Sequence, residues 1–445
     1  MQGIRSEEYG EMLTRLFVSD TELKYTSSKG LFPRTITFQV TEDCCMKCTY
    51  CYQHNKTSHV MPFEVARAFI DKLLTADPTV SCYIPAESVG VILEFIGGEP
   101  LMEIDLIDKI TDYFIDKCVE LHHPWATRYA ISMSSNGLLY FQPNVQAFLD
   151  KHKGRISYGV SIDGCKELHD SCRIDLNGNG TYDRAIAAVD DYTQNRGGPM
   201  PSKMTLSPDN ISYLSTAITA MIEHGYPEVF FNTVFEKGWT TEHAKIYYAE
   251  LKKLCDYLLA HNLVKTEPFI CYPLSYIFGH PIPESNNRNF CGGTGSMLAI
   301  DWKGDIYPCI RYMPSAVGDA QEPYVIGNVY DGIMQTPETK ARVDCLNCIT
   351  RKSQSTDECF SCPIASGCAW CSGYNYEMNG TPDKRCTFIC CMHKARVLAI
   401  SYLWNTQYRN DGSCDRYPLD IPEEWALEIV DTDEWEMLKG LARSD

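Results

Sequence analysis

From residue 35 onward, short β-branched and aromatic runs alternate with longer segments whose apolar residues recur every three or four positions. "TITFQVT" (35–41) reads as a strand, followed by a Cys-rich loop and the helical "MPFEVARAFIDKLLT". "VILEFIGGEP" (91–100) is a strand closing on a Gly-Gly turn, and "LMEIDLIDKITDYFIDKCVE" follows with helical spacing. The same strand-then-helix order repeats through "YAISMSS", "ISYGVSIDG", "KMTLS" and "EVFFNTVFE". Six such units predict an α/β fold with parallel strands, closed or half-closed into a partial (β/α)6 barrel of the TIM type. In such barrels chemistry sits on the loops after the strands. Past about residue 265 Gly, Pro, Asn and Cys rise, and helical periodicity returns only at "CMHKARVLAISYLWNTQY". That composition predicts a small C-terminal domain whose core is partly replaced by metal sites.

The expected organisation is an N-terminal extension (1–33), the barrel (34–265), a cysteine-rich domain (266–400) and a helical tail (401–445). The extension reads as one short helix, "SEEYGEMLTRLF", placed as a cap on the barrel mouth. The tail is expected to dock, because Trp425, Leu427, Ile429 and Trp435 would otherwise be exposed. A net charge of −18 argues against a nucleic-acid partner. Apolar runs stay well below the roughly 18 residues of a membrane span, and no signal-peptide pattern opens the chain, so the expected location is cytoplasmic.

Against that location, 22 cysteines read as metal ligands or redox groups and not as disulfides. Four lie at 44–51 and eleven between 291 and 391; the seven others, including Cys82 and Cys414, read as buried small hydrophobes. Cys44, Cys48 and Cys51 are spaced C-x3-C-x2-C, with the aromatic Tyr50 before the last. Cys45, adjacent to Cys44, is expected to point elsewhere. Three readings are open: a zinc site completed by His54, a redox pair at Cys48 and Cys51, or three thiolates holding a [4Fe–4S] cluster with one iron free.

This loop resembles that of the radical S-adenosylmethionine (radical SAM) enzymes, whose C-x3-C-x-aromatic-C follows the first strand of a partial (β/α)6 barrel. The resemblance implies that the open iron chelates S-adenosyl-L-methionine (AdoMet). It also implies that one electron splits AdoMet to methionine and a 5'-deoxyadenosyl radical. "GGEP" (Gly97, Gly98, Glu99) matches the family's AdoMet-amine motif, and Ser134 and Asn136 of "SSNG" match its ribose contact. "SIDGCKELHDSCR" resembles the peptide-modifying branch, with Ser161 on the ribose or carboxylate and Arg173 paired to the AdoMet carboxylate. Asp163, His169 and Asp170 are read as braces for that loop.

The C-terminal third resembles the SPASM domain, which carries two auxiliary [4Fe–4S] clusters, except that its last spacing is x2 where the family has x3. By that resemblance Cys291, Cys309 and Cys371 hold the first auxiliary cluster. Cys359, Cys362 and Cys368 hold the second with one of Cys386, Cys390 or Cys391, Cys390 being favoured because a helix starts there. Cys345 and Cys348 are a further pair, a candidate fourth ligand for the first auxiliary cluster. Radical SAM plus SPASM implies a peptide maturase: the region around 351–382 looks like the group whose precursors carry repeated Cys-x3 units, implying thioether formation. The implied partners are a Cys-containing precursor peptide and a one-electron donor such as flavodoxin or ferredoxin. Carbon–carbon crosslinking, formylglycine formation in a sulfatase, and a non-enzymatic iron–sulfur electron carrier or sensor are the alternatives.

Overall fold

The computed structural model describes residues 12–20, 22, 24, 32–85, 87–200, 202, 204–236, 238–289, 291–319 and 321–443. Residues 6–11 of the expected N-terminal helix (6–17) lie outside them, and its capping role with them.

All six expected strands form: β1 (Arg34–Gln39), β2 (Val91–Ile96), β3 (Tyr129–Ser135), β4 (Ile156–Val160), β5 (Met204–Leu206) and β6 (Phe231–Thr233). β1 to β4 pair in parallel in chain order, while β5 and β6 form a separate parallel pair. The barrel is therefore split four plus two. On the far side of β1 lies β7 (Met297–Ile300), parallel to it and contributed by the cysteine-rich region. β8 (Asp305–Tyr307), β9 (Gly327–Asn328) and β10 (Gly332–Ile333) continue that edge antiparallel. The C-terminal region is thus hydrogen-bonded into the barrel sheet.

Alternation along the strands divides the sheet into two chemical faces. Ile36, Phe38, Leu93, Phe95, Ile131 and Met133 are buried on one face. There Phe38 stacks on Phe95 and meets Phe69 of helix α1 (Phe63–Leu74) edge-on. On the other face the register aligns Ala299, Thr37, Glu94, Ser132 and Ser157 in one row. Thr37 donates to Glu94 at 2.6 Å within that row. Gln39 donates at 3.0 Å to Ser315, beyond β8, which ties this face to the C-terminal region at the end of β1.

Helix α2 (Thr241–Ala260) follows β6 and packs along α3 (Cys390–Asp411), where the Cys255 thiol reaches the Ala399 carbonyl. α3 crosses residue 401 without a break. The tail docks on this pair: Ile429 and Trp435 are buried, and Glu434 accepts from Tyr248 and, at 2.7 Å, from Lys252. Leu427 departs from the expectation and stays 42% exposed, because its short helix buries Ala426 instead. Cys82 also departs, lying exposed at the end of a four-residue helix, and Cys414 is only half-buried. No described helix is long and apolar enough to cross a membrane.

Phe38→Ala removes a fully buried ring with two aromatic neighbours, and is expected to cost about 3–5 kcal/mol. A clear fall in the thermal unfolding midpoint checks this, and an unchanged midpoint contradicts the packing described.

Candidate metal and cofactor centre

The loop after β1 is held from two sides. Lys47 and Thr49 donate backbone hydrogen bonds to Ile174 and Cys172 at 2.8 and 3.0 Å, tying it to the segment after β4. Across the loop, Gly98 and Glu99 donate to the carbonyls of Thr41 and Asp43 at 3.2 and 2.9 Å. A Cβ built on Gly98 would lie 2.2 Å from the Asp43 carbonyl oxygen and 2.7 Å from the Cys44 Cβ. Only glycine permits that approach.

On this loop Cys44, Cys48 and Cys51 converge around Lys56. Burial opposes the Lys56 charge, yet Cys51, Cys44 and Cys48 raise it above the ordinary lysine range. Burial pushes the Cys48 thiol up to about 11. Cys45 is the correction here: its thiol turns toward Cys44, whose own titration falls to about 6 chiefly through that hydrogen bond. Asn136 donates to the Cys45 sulfur at 3.2 Å. The loop's tight path brings adjacent sulfurs together, which alternation along an extended chain would forbid.

Glu99 is fully buried and anchors the next loop. It accepts from Leu101 N–H at 3.1 Å, Ser135 Oγ at 2.8 Å and Asn136 N–H at 2.8 Å. Burial raises it to about 7 despite those donors. Three of roughly four carboxylate acceptor positions are used, leaving room for one further donor such as an amine. Gln53 donates to the Gly97 carbonyl at 3.1 Å. Ser134 is exposed at the end of β3, and Ser161, half-buried, donates its backbone N–H to the Ser135 carbonyl at 2.9 Å.

Asp163 and Arg173 form a buried, forked ion pair at 2.8 and 3.3 Å. Tyr50 donates its hydroxyl to the same carboxylate while the Arg173 guanidinium sits over its ring, 5.4 Å from the centroid. Thr205 of β5 adds a backbone donor at 3.1 Å. The expected braces are present: His169 Nδ1 accepts from Asp163 N–H, and Asp170 accepts from Tyr182 N–H. Thr181 Oγ1 spends its proton on the Arg173 carbonyl, so His169 Nε2 must donate to it at 3.1 Å. His169 is therefore neutral, and burial lowers its titration to about 4.

The C-terminal cysteines form two further sets. In the first, a Cβ on Gly293 would lie 3.4 Å from the Cys309 sulfur and 3.6 Å from that of Cys291. Cys291 also meets Ser372 Oγ at 3.1 Å, next to Cys371 at the start of the helix Ser372–Asn379. Burial raises both Cys309 and Cys371. Cys345 is turned instead toward Asp383, Tyr324 and Cys348. In the second set, Cys359, Cys362, Cys368 and Cys390 gather around Arg385. The Cys390 thiol is hydrogen-bonded to Cys368 and drives its titration down. Cys386 lies against Asn379 at 3.4 Å, and Cys391 against the carbonyls of Thr240 and Phe388.

Between the first loop and the first C-terminal set stands Arg311, which spacing alone did not indicate. Its guanidinium lies over the rings of Tyr52, next to Cys51, and Tyr374, three residues after Cys371. It donates to Glu236 at 2.9 Å and Glu377 at 3.4 Å. Its contacts come from three segments far apart in sequence, so no local motif announces it. The donor sets themselves, three and four soft thiols each, fit iron–sulfur ligation.

Residues 291–363 match the iron–sulfur cluster-binding SPASM domain. An uncharacterised protein of Methanocaldococcus jannaschii is 27% identical over 277 residues, 61% of this chain and 82% of that relative. A cysteine-type anaerobic sulfatase-maturating enzyme of Clostridium novyi is 23% identical over 148 residues, 33% of this chain and 37% of its own. Among solved structures, anSMEcpe with bound AdoMet and Kp18Cys peptide superposes with a TM-score of 0.57 at 16% identity, covering 85% of this chain and 99% of that one. Streptococcus suis SuiB bound to precursor peptide SuiA gives 0.50 at 15% identity, covering 83% and 79%. This chain shares their fold, that of the radical SAM–SPASM proteins.

Two outcomes are expected here. Cys390→Ala should lower reconstituted iron by about four atoms per chain, while Cys386→Ala and Cys391→Ala leave it unchanged, as read by iron and sulfide analysis. Asp163→Asn strands the buried Arg173 charge and should cost about 3–5 kcal/mol. An unfolding midpoint within error of the parent's would contradict the ion pair's role.

Proposed function

We propose that this radical SAM–SPASM protein is an enzyme that modifies a ribosomally made, Cys-containing peptide, closing thioether bonds from cysteine sulfur to a peptide carbon. The observation that carries the reading is the meeting of three cysteine sets with the "GGEP" and Asp163–Arg173 loops in one molecule. An electron carrier would need the thiols but neither of those loops.

When bound, a [4Fe–4S] cluster on Cys44, Cys48 and Cys51 supplies the electron that converts AdoMet to methionine and a 5'-deoxyadenosyl radical. Around it, this chain's residues position and shield. Glu99, with its remaining acceptor position, receives the AdoMet ammonium. Arg173, its guanidinium held in plane by Asp163 and Tyr50, presents its remaining N–H groups to the AdoMet carboxylate. Asn136, Ser134 and Ser161 supply hydroxyl and amide partners for the ribose. The polar row of Thr37, Glu94, Ser132 and Ser157 lines the face on which the peptide lies. Closing the thioether requires the carbon to lose a hydrogen atom to the 5'-deoxyadenosyl radical, the thiol to lose a proton to solvent, and one electron to leave; a cluster held by one of the C-terminal cysteine sets would supply the acceptor for that electron. A one-electron carrier such as flavodoxin or ferredoxin serves the chain. Cys345 and Cys348 are left as candidate ligands for the first C-terminal cluster.

A second reading, oxidation of a sulfatase cysteine to formylglycine, is favoured by the likeness to the Clostridium novyi sulfatase-maturating enzyme. Mass separates the two, because a thioether loses two hydrogens and keeps sulfur, whereas formylglycine loses sulfur and gains an aldehyde.

The test is anaerobic reconstitution with iron and sulfide, then dithionite and AdoMet, with 5'-deoxyadenosine followed by mass spectrometry. Wild type should form it, and the variant with Cys44, Cys48 and Cys51 all changed to Ala should not. With a Cys-x3 repeat peptide present, the product should lose two hydrogens per crosslink and resist thiol alkylation. Bound zinc and intact AdoMet would refute the proposal.

A further inference from the structure

The two C-terminal cysteine sets differ in how their cations are compensated. Beside the first set, Arg311 is shared by Glu236 and Glu377, so its charge is cancelled on the spot. Beside the second set, Arg385 Nη1 donates to the Cys359 sulfur at 3.3 Å. Arg385 has no carboxylate partner among the described residues. The groups that face its charge are the sulfurs of Cys368, Cys359, Cys390 and Cys362. A second arginine, Arg396, lies by the chain just before Cys368, donating to the Gly367 carbonyl and to His393 Nδ1. It too lacks a carboxylate partner among the described residues. His393 spends its own Nε2 proton on the Ile364 carbonyl at 2.6 Å, so the ring is neutral and adds no charge.

Arg385 is also fixed in place. Its backbone N–H donates to the Gln354 carbonyl at 2.9 Å, and the next residue donates to the buried Asn375 at 3.0 Å. Gly367, at φ +76°, leaves space that a Cβ would take from Phe278 at 2.4 Å, so the chain before Cys368 cannot be re-routed by another residue. The guanidinium is preorganised against the sulfurs without having to be ordered by the cluster.

We infer that Arg385 is a positioning residue whose uncompensated charge and N–H···S bond raise the reduction potential of the cluster held by Cys359, Cys362, Cys368 and Cys390. That makes this cluster the better electron acceptor of the two C-terminal sites. A cation close to a cysteinyl sulfur stabilises the more negative, reduced cluster, and hydrogen bonds to the sulfurs act in the same sense. Low dielectric around the half-buried site strengthens both effects. The acceptor role rests on the function proposed above, but the potential does not.

The experiment uses the full reconstituted chain carrying Cys44→Ala, Cys48→Ala and Cys51→Ala, so that only the C-terminal clusters give signals. An EPR-monitored redox titration compares Arg385 with Arg385→Lys, Arg385→Gln and Arg385→Met. In Met and Gln, the reduced-to-oxidised ratio of one cluster at the parent's midpoint should fall at least tenfold, about 59 mV for one electron. Lys should keep most of the parent's potential, and the other cluster should not move. Iron per chain should stay constant. Should Met lose iron, Gln, which keeps an N–H donor, carries the comparison. Unchanged potentials in Gln or Met with iron retained overturn the inference, as does Lys falling as far as Met. A wild type that assembles no second C-terminal cluster overturns it as well. Failure of AdoMet cleavage with the shift intact would remove the proposed function and leave this inference standing.

Discussion

One fully buried carboxylate, Asp163, joins parts of the molecule that backbone hydrogen bonding leaves apart. β5 does not pair with β4, so the barrel sheet is broken between them. Asp163, just past β4, takes the Thr205 N–H of β5, the forked guanidinium of Arg173 and the Tyr50 hydroxyl of the cysteine loop. Such a charge is tolerable in the interior only with a full set of donors. Glu99 acts between strands the backbone already pairs, and ties the loop after β2 to the loop after β3 through Ser135 and Asn136. These two acids fix the loops at the strand ends, and the loops in turn fix the thiols.

The rest of the site follows from polar residues standing where a purely structural barrel would place apolar ones. Thr37, Glu94, Ser132 and Ser157 line up on one face while the opposite face is packed with Phe38, Phe95 and Met133. The C-terminal region extends the same sheet through β7, which holds its cysteine sets at a defined distance from the first loop. Arg311 spans that junction, stacked between an aromatic from each side.

Much of this was legible in the chain. Period-2 and period-3.6 patterning located all six strands and the long helices, because each strand buries one apolar face and each helix one stripe. Cys-x3-Cys-x2-Cys marked the first loop, and the helix start favoured Cys390, whose thiol the fold sets against Cys368. Other features were not legible. Cys45 shares the space of Cys44 because the loop turns tightly there. Leu427 stays exposed because a five-residue helix presents Ala426 inward instead. Glu99 is braced by a neighbouring strand that no motif around it names.

The sequence by itself determined the repeating strand–helix order, the loop that carries three thiols and the change of composition near residue 265, since each is written in local periodicity and spacing. Only the tertiary structure decided that the sheet splits between β4 and β5, and that β7 adds to β1. It also decided that Arg311 is neutralised by two acids while Arg385 is not. Those outcomes depend on which distant segments share a desolvated space, and charge compensation there is set by three-dimensional neighbours.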